Sequence, residues 1–241
     1  MGVTRVVPEK GRPLRAAIFD LDGTLYRQNP VRKAMLVELL RHGSRRPVEC
    51  YRVLRFLRAY RDAQEQLREI DPPMASRQLA LACDSAGVSL KTGEAWVEEW
   101  MLQRPLRFLR AAVYPGVDDL LQTLRGRGIA LGLLSDYPAR DKLAALSLAG
   151  HFSTVRAAQD PSIDRFKPDP AGLLAILRDL KAAPEEAVYI GDREIDGEAA
   201  RRAGVSAYVL AGESRPTTPD TTAFRDFFHL QQLLSAEPWI N

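Results

Sequence analysis

Three short apolar runs in this chain each stop at a polar side chain. Ala16-Ala17-Ile18-Phe19 stops at Asp20, the run 129–134 stops at Ser135-Asp136, and Ala187-Val188-Tyr189-Ile190 stops at Gly191-Asp192. Apolar runs of this length bounded by turn residues read as strands buried on both faces. Helical patterns separate them, over 117–125, 139–148, 170–181 and 194–203. A weak strand near 154–157 and a last strand at 206–210 complete the alternation. A Pro/Thr loop at 216–219 and a closing helix over 224–234 are expected after it. Strands alternating with helices predict a doubly wound parallel α/β sheet. In such sheets ligands bind beyond the carboxyl ends of the strands, and that is where Asp20, Ser135 and Asp192 fall.

From Asn29 to about Arg110 the pattern is helical instead. Cys50, Val53, Leu54, Leu57 and Leu67 recur at or near helical spacing after Pro47, a residue suited to a first helical turn. Two more helices are expected over 74–86 and 92–109, and no strand signal interrupts them. The predicted organisation is an α/β core formed by residues 1–28 and 113–241, with an all-helical domain at 29–112 inserted after the first strand. The chain's 241 residues suffice for both.

No run approaches the ~18 apolar residues of a membrane span, and the first fifteen residues lack an apolar stretch of signal-peptide length. The two cysteines, Cys50 and Cys83, do not form a close pair, so neither a disulfide framework nor a zinc site is indicated. A cytoplasmic location is expected, with no membrane or nucleic-acid partner; nothing specifies the oligomeric state. The net charge is only +3, yet residues 27–112 hold 16 Lys and Arg against 10 Asp and Glu.

The polar residues suggest a chemistry. Asp20 and Asp22 are two apart, so an extended backbone sends both carboxylates the same way. A fixed carboxylate can attack phosphorus, and a second can shuttle the proton of the leaving group. Carboxylates crowded around an anionic phosphate require positive charge. A hard divalent cation supplies part of it, and Lys167 could supply the rest as a compact point charge.

Phe19-Asp20-Leu21-Asp22-Gly23-Thr24-Leu25 resembles the first motif of the haloacid dehalogenase superfamily in its phosphatase form, DxDGT. Leu133-Leu134-Ser135-Asp136 resembles the second, Lys167-Pro168 the third, and Gly191-Asp192 with Asp196 the fourth. The motifs occur in order, and the resemblance covers nearly the whole chain from about Arg15. The inserted helices are similar to the cap of phosphoglycolate phosphatase-like members. The resemblance implies a Mg²⁺-dependent phosphatase acting on a small phosphorylated metabolite through an aspartyl-phosphate. It makes Asp20 nucleophile and metal ligand, Asp22 general acid/base and a ligand through its carbonyl, Asp192 the third ligand and Asp196 an orienting group behind them. Ser135, with amides near Leu21 and Asp136, is implied to hold the phosphoryl oxygens, and Lys167 to stabilise charge. Gly23 permits the turn that begins a flap; Gly23, Thr24, Asp136 and Arg27 are candidate substrate contacts.

Three rivals remain. A dehalogenase lacks a second acid like Asp22. A sugar phosphomutase shares all four motifs. A non-enzymatic module binding through its arginine-rich helices lacks the aromatic interleaving of nucleic-acid binders. The basic excess of 27–112 further suggests a substrate with a second anionic group, met by Arg52, Arg55, Arg58 or Arg61.

Overall fold

The computed structural model describes residues 13–68, 70, 75–211 and 218–236. The helix start expected at Met74 and the Pro216 end of the expected loop lie outside them. The strands are β1 (Ala16–Phe19), β2 (Ala130–Ser135), β3 (Thr154–Ala157), β4 (Ala187–Gly191), β5 (Ser206–Leu210) and β6 (Thr221–Phe224). They form one sheet in the order β3-β2-β1-β4-β5-β6, every pairing parallel. From β1 the chain winds outward through β2 and β3, then crosses to the other side of β1 for β4, β5 and β6. β1 and β4 are thus neighbours whose connections leave in opposite directions, which opens a crevice past their carboxyl ends. Phe19 pairs with Leu133 on one side and Ile190 on the other, and the Asp20 N–H donates to the Ile190 carbonyl at 2.8 Å. Asp20 therefore emerges where β2 and β4 also end.

Between β1 and β2 run α1 (Gln28–Arg45), α2 (Pro47–Leu67), α3 (Ala75–Ala86), α4 (Leu90–Val97) and α5 (Leu106–Leu109). Pro47 opens α2, and the Ser89 hydroxyl caps α4 by accepting from the Thr92 N–H at 3.2 Å. These helices bury a core of their own, in which Val53, Phe56 and Tyr60 meet Ala82, Trp96 and Trp100. The segment leaves and re-enters the sheet domain side by side. Arg27 N–H donates to the Ala112 carbonyl at 2.9 Å, and Tyr114 N–H to the Leu25 carbonyl at 3.2 Å.

Both faces of the sheet are covered, as its unbroken apolar strands require. Ala17 and Phe19 belong to one buried cluster, closed by Leu121 of α6 (Val117–Gly126), Leu143 of α7 (Arg140–Leu146) and a later helix. Ala16 and Ile18 point to the opposite face and join Ile176 of α8 (Ala171–Leu180) and Ala200 of α9 (Glu194–Ala203). The later helix on the first face is α10 (Phe227–Ala236), through Phe227, Leu230 and Leu234.

Two expectations need correction. The single helix expected over 92–109 is three pieces: α4, a π-helical stretch at Glu98–Gln103, and α5 after Pro105. Pro105 has no N–H to continue an α-helical ladder, and the wider turn before it absorbs the change of register. The closing helix expected over 224–234 starts only at Phe227. Phe224 instead ends β6, an edge strand paired to β5 from Ala207↔Thr221 to Leu210↔Phe224.

Candidate active site

Asp20 follows β1 directly and is buried, and each of its carboxylate oxygens has a partner. Oδ1 accepts from Lys167 Nζ at 2.6 Å, and Oδ2 accepts from Thr24 Oγ1 at 2.9 Å. Lys167 is buried as well, and its Nζ also donates to Asp196 Oδ1 at 2.7 Å and to Tyr189 Oη at 3.4 Å. Asp196 lies in the first turn of α9. Its second oxygen accepts from the N–H groups of Asp192 and Arg193 at 3.2 and 3.0 Å, satisfying donors that the helix start leaves open. Asp20, Asp192 and Asp196 each offer a carboxylate oxygen, all within 4.8 Å of one another.

Two glycines make room for this cluster. Gly23 has φ +106°, and a Cβ there would stand 2.2 Å from Asp192 Oδ2. A Cβ at Gly191 would stand 2.4 Å from Asp196 Cβ.

Asp22 has different partners. Lys142 Nζ, from the first turn of α7, donates to its Oδ1 and Oδ2 at 2.8 and 2.7 Å. The Tyr26 hydroxyl also donates to Oδ1, and Gln28 Nε2 donates to the Asp22 main-chain carbonyl. A third network surrounds Asp136. Its Oδ2 accepts from Gln64 Nε2 at 2.7 Å and from guanidinium nitrogens of Arg68 and Arg193 at 3.3 Å each. Arg68, just past α2, also donates to the Lys167 carbonyl at 2.8 Å. Ser135 is buried, and its Oγ accepts from the Tyr137 N–H at 3.3 Å.

The electrostatics follow the partners. Burial, with Asp196 and Asp192 nearby, raises the Asp20 pKa to about 7 despite Lys167. Burial and Asp196 raise Asp192 to about 6. Burial also acts against ionised Asp22 and Asp196, but Lys142 in the first case, and Lys167 and Arg193 in the second, outweigh it and hold both below the usual carboxylate range. Burial disfavours the charged form of Lys167, yet Asp196 and Asp20 lift it well above the usual lysine value. The centre therefore combines a fixed ammonium with two carboxylates short of positive charge.

A family profile for haloacid dehalogenase-like hydrolases matches residues 14–204. A Rhodospirillum rubrum protein named phosphoglycolate phosphatase is 31% identical over 223 residues, which cover 90% of this chain and 89% of that one. Phosphoglycolate phosphatase 1 of Pseudomonas aeruginosa is 29% identical over 199 residues, 81% of this chain and 69% of its own. The crystal structure of a HAD phosphatase from Thermococcus onnurineus superposes with a TM-score of 0.67 at 25% identity, covering 93% of this chain and 99% of the other. The chain belongs to the haloacid dehalogenase-like hydrolases. It is a hydrolase of the phosphatase type, and no described helix is long and apolar enough to cross a membrane.

Measured against the expected set for this hydrolase, Asp20, Thr24, Lys167, Asp192 and Asp196 come together in one cluster, with Gly23 against Asp192. The Asp22 side chain is engaged by Lys142 and Tyr26, and the Asp136 side chain by Gln64, Arg68 and Arg193. Arg27 lies over the Tyr114 ring, 5.9 Å from its centroid. Sequence reasoning did not single out Lys142, Gln64 or Arg68. The donor set fits a hard divalent cation: it is all oxygen, and two of its carboxylates are raised in pKa by burial and by the Asp196 carboxylate beside them. Asp196 is the member already committed, through both oxygens, to Lys167 and to N–H groups.

Proposed function

We propose that the chain hydrolyses a small phosphomonoester by magnesium-dependent phosphoryl transfer to Asp20, with residues 29–112 acting as a helical cap. The observation that carries this reading is the buried Asp20 carboxylate, fixed at the end of β1 by Lys167 and Thr24 within an oxygen-only cluster. Asp20, Asp192 and the Asp22 carbonyl would hold Mg²⁺. When bound, the cation neutralises charge on the phosphoryl oxygens and on the attacking carboxylate.

Asp20 attacks phosphorus, and the bond from phosphorus to the ester oxygen breaks. Asp22 gives a proton to the departing oxygen, then takes one from the water that releases phosphate. As paired here with Lys142 the Asp22 carboxylate is held ionised, so to give that proton it must first leave Lys142 and take up a proton from solvent. The Ser135 hydroxyl and N–H groups near Leu21 and Asp136 hold the phosphoryl oxygens, while Lys167 offsets the charge that develops on them.

Curated relatives are named phosphoglycolate phosphatase, so phosphoglycolate heads the panel for testing. The assay measures inorganic phosphate released from a set of phosphorylated metabolites with Mg²⁺ present. Free phosphate is the expected product. An isomerised sugar phosphate without free phosphate would establish the phosphomutase reading in its place.

A further inference from the structure

A cavity of about 470 Å³ adjoins the carboxylate cluster, and its walls include Gly23, Arg27, Arg32, Tyr114, Asp192 and Arg193. Three of these residues carry guanidinium groups. The sole acid among the lining residues is Asp192, which belongs to the cluster that would hold the cation. The cavity is therefore positive even before a metal is added.

These cations are not consumed elsewhere to equal degrees. Arg193 donates to Asp136, a carboxylate it shares with Arg68. Arg27 lies against the Tyr114 ring, and Arg32 donates to the Gln28 side-chain carbonyl. Both of those partners are neutral, and among the described residues neither Arg27 nor Arg32 is paired with a carboxylate. The arginines of α2 differ. Arg52 sits over the Trp96 ring, Arg55 donates to the Ser85 carbonyl, Arg58 pairs with Asp62, and all of them are exposed. None of the four α2 arginines to which the sequence pointed lines this cavity.

A guanidinium beside a cleft attracts anions, and its planar fork suits a carboxylate or a phosphate. Gln28 also links Arg32 to the catalytic segment, since its Nε2 donates to the Asp22 carbonyl. We propose that this cavity is a subsite for a second anionic group on the substrate, a carboxylate or a second phosphate, held by Arg27 and Arg32 with Arg193 completing the set. The inference rests on the phosphatase reading above and adds the class of substrate that the site prefers.

The test is calorimetric binding, which requires no turnover. Three phosphonates are titrated into the whole protein at constant free Mg²⁺: ethylphosphonate with an uncharged tail, phosphonoacetate with a carboxylate, and propane-1,3-diphosphonate with a second phosphonate. At least one charged-tail ligand is expected to bind about ten- to a hundredfold tighter than ethylphosphonate, the range of a charge-assisted contact. Which one it is separates carboxylate from phosphate. Arg27→Gln and Arg32→Gln should each narrow the gap, and Arg32→Lys should preserve part of it. Both side chains are exposed, so thermal melts should confirm that the fold is kept. Equal affinity for all three ligands, no binding by any, or a gap untouched in both Gln variants overturns the subsite. Release of phosphate from p-nitrophenyl phosphate tests the phosphatase reading separately and survives each of those outcomes.

Discussion

Lys142 Nζ lies 2.8 Å and 2.7 Å from the two carboxylate oxygens of Asp22. The lysine is buried, whereas the Asp22 side chain keeps 23% of its exposure. Removing one partner of a fully buried pair costs ~3–5 kcal/mol, because the other charge is left uncompensated. Residual exposure of Asp22 should reduce that cost, so Lys142→Met is expected to destabilise the protein by about 1–3 kcal/mol. Urea denaturation measures the loss. Asp22→Asn in the Lys142→Met background should then recover part of it, giving a non-additive double-mutant cycle. Strict additivity would show that the pair contributes nothing.

Gly23→Ala addresses the floor of the cluster. The new Cβ would require a left-handed φ and would also press on Asp192 Oδ2. A loss of more than about 1 kcal/mol in stability is expected from the backbone strain. Mg²⁺ affinity should fall as well, because Asp192 has to move. Parallel urea melts and Mg²⁺ titrations check the two effects, and a variant with wild-type values in both would contradict the account of this turn.

Metal removal has a readout independent of turnover. A ligand that binds only the folded state at a hundred times its Kd adds about 2.7 kcal/mol of stability. Saturating Mg²⁺ should therefore raise the melting temperature, chelator should reverse the rise, and Asp192→Asn should blunt it. Activity should follow the same sequence, with Ca²⁺ a poor substitute because its larger, looser shell misplaces the attacking groups. A melting curve indifferent to Mg²⁺ in the wild type would exclude the proposed ligand set.

How far the site was legible depended on where each residue sits along the chain. Asp20, Asp192 and Lys167 stand in short linear motifs, two of them at strand ends, so pattern and position agree. Asp196 was legible as the residue four after Asp192, and its first-turn place on α9 explains why its oxygen reaches main-chain N–H groups. Lys142 was not legible. In Arg140-Asp141-Lys142 it reads as part of a solvated helix, and its burial arises only once α7 docks beside Asp22. Gln64 and Arg68 were hidden for a similar reason, since they reach Asp136 across more than sixty positions of sequence. In the fold, β6 escaped because four residues, two of them Thr, follow a Pro/Thr stretch and form only an edge. Its strand character comes from pairing with β5, which no local pattern encodes.

Phosphoryl transfer to Asp20 is tested most directly by peptide mass spectrometry on acid-quenched Asp22→Asn protein mixed with p-nitrophenyl phosphate and Mg²⁺. The nitrophenolate leaves with little help from an acid, so Asp20 can still be phosphorylated. The water that should release phosphate has lost its base, a deficit worth ~10²–10⁴-fold in rate, so the intermediate should accumulate. One phosphoryl group is expected on Asp20, and none in the Asp20→Asn/Asp22→Asn double variant. If the wild type releases phosphate while the quenched Asp22→Asn protein carries the group on another residue, or on none, Asp20 is not the nucleophile.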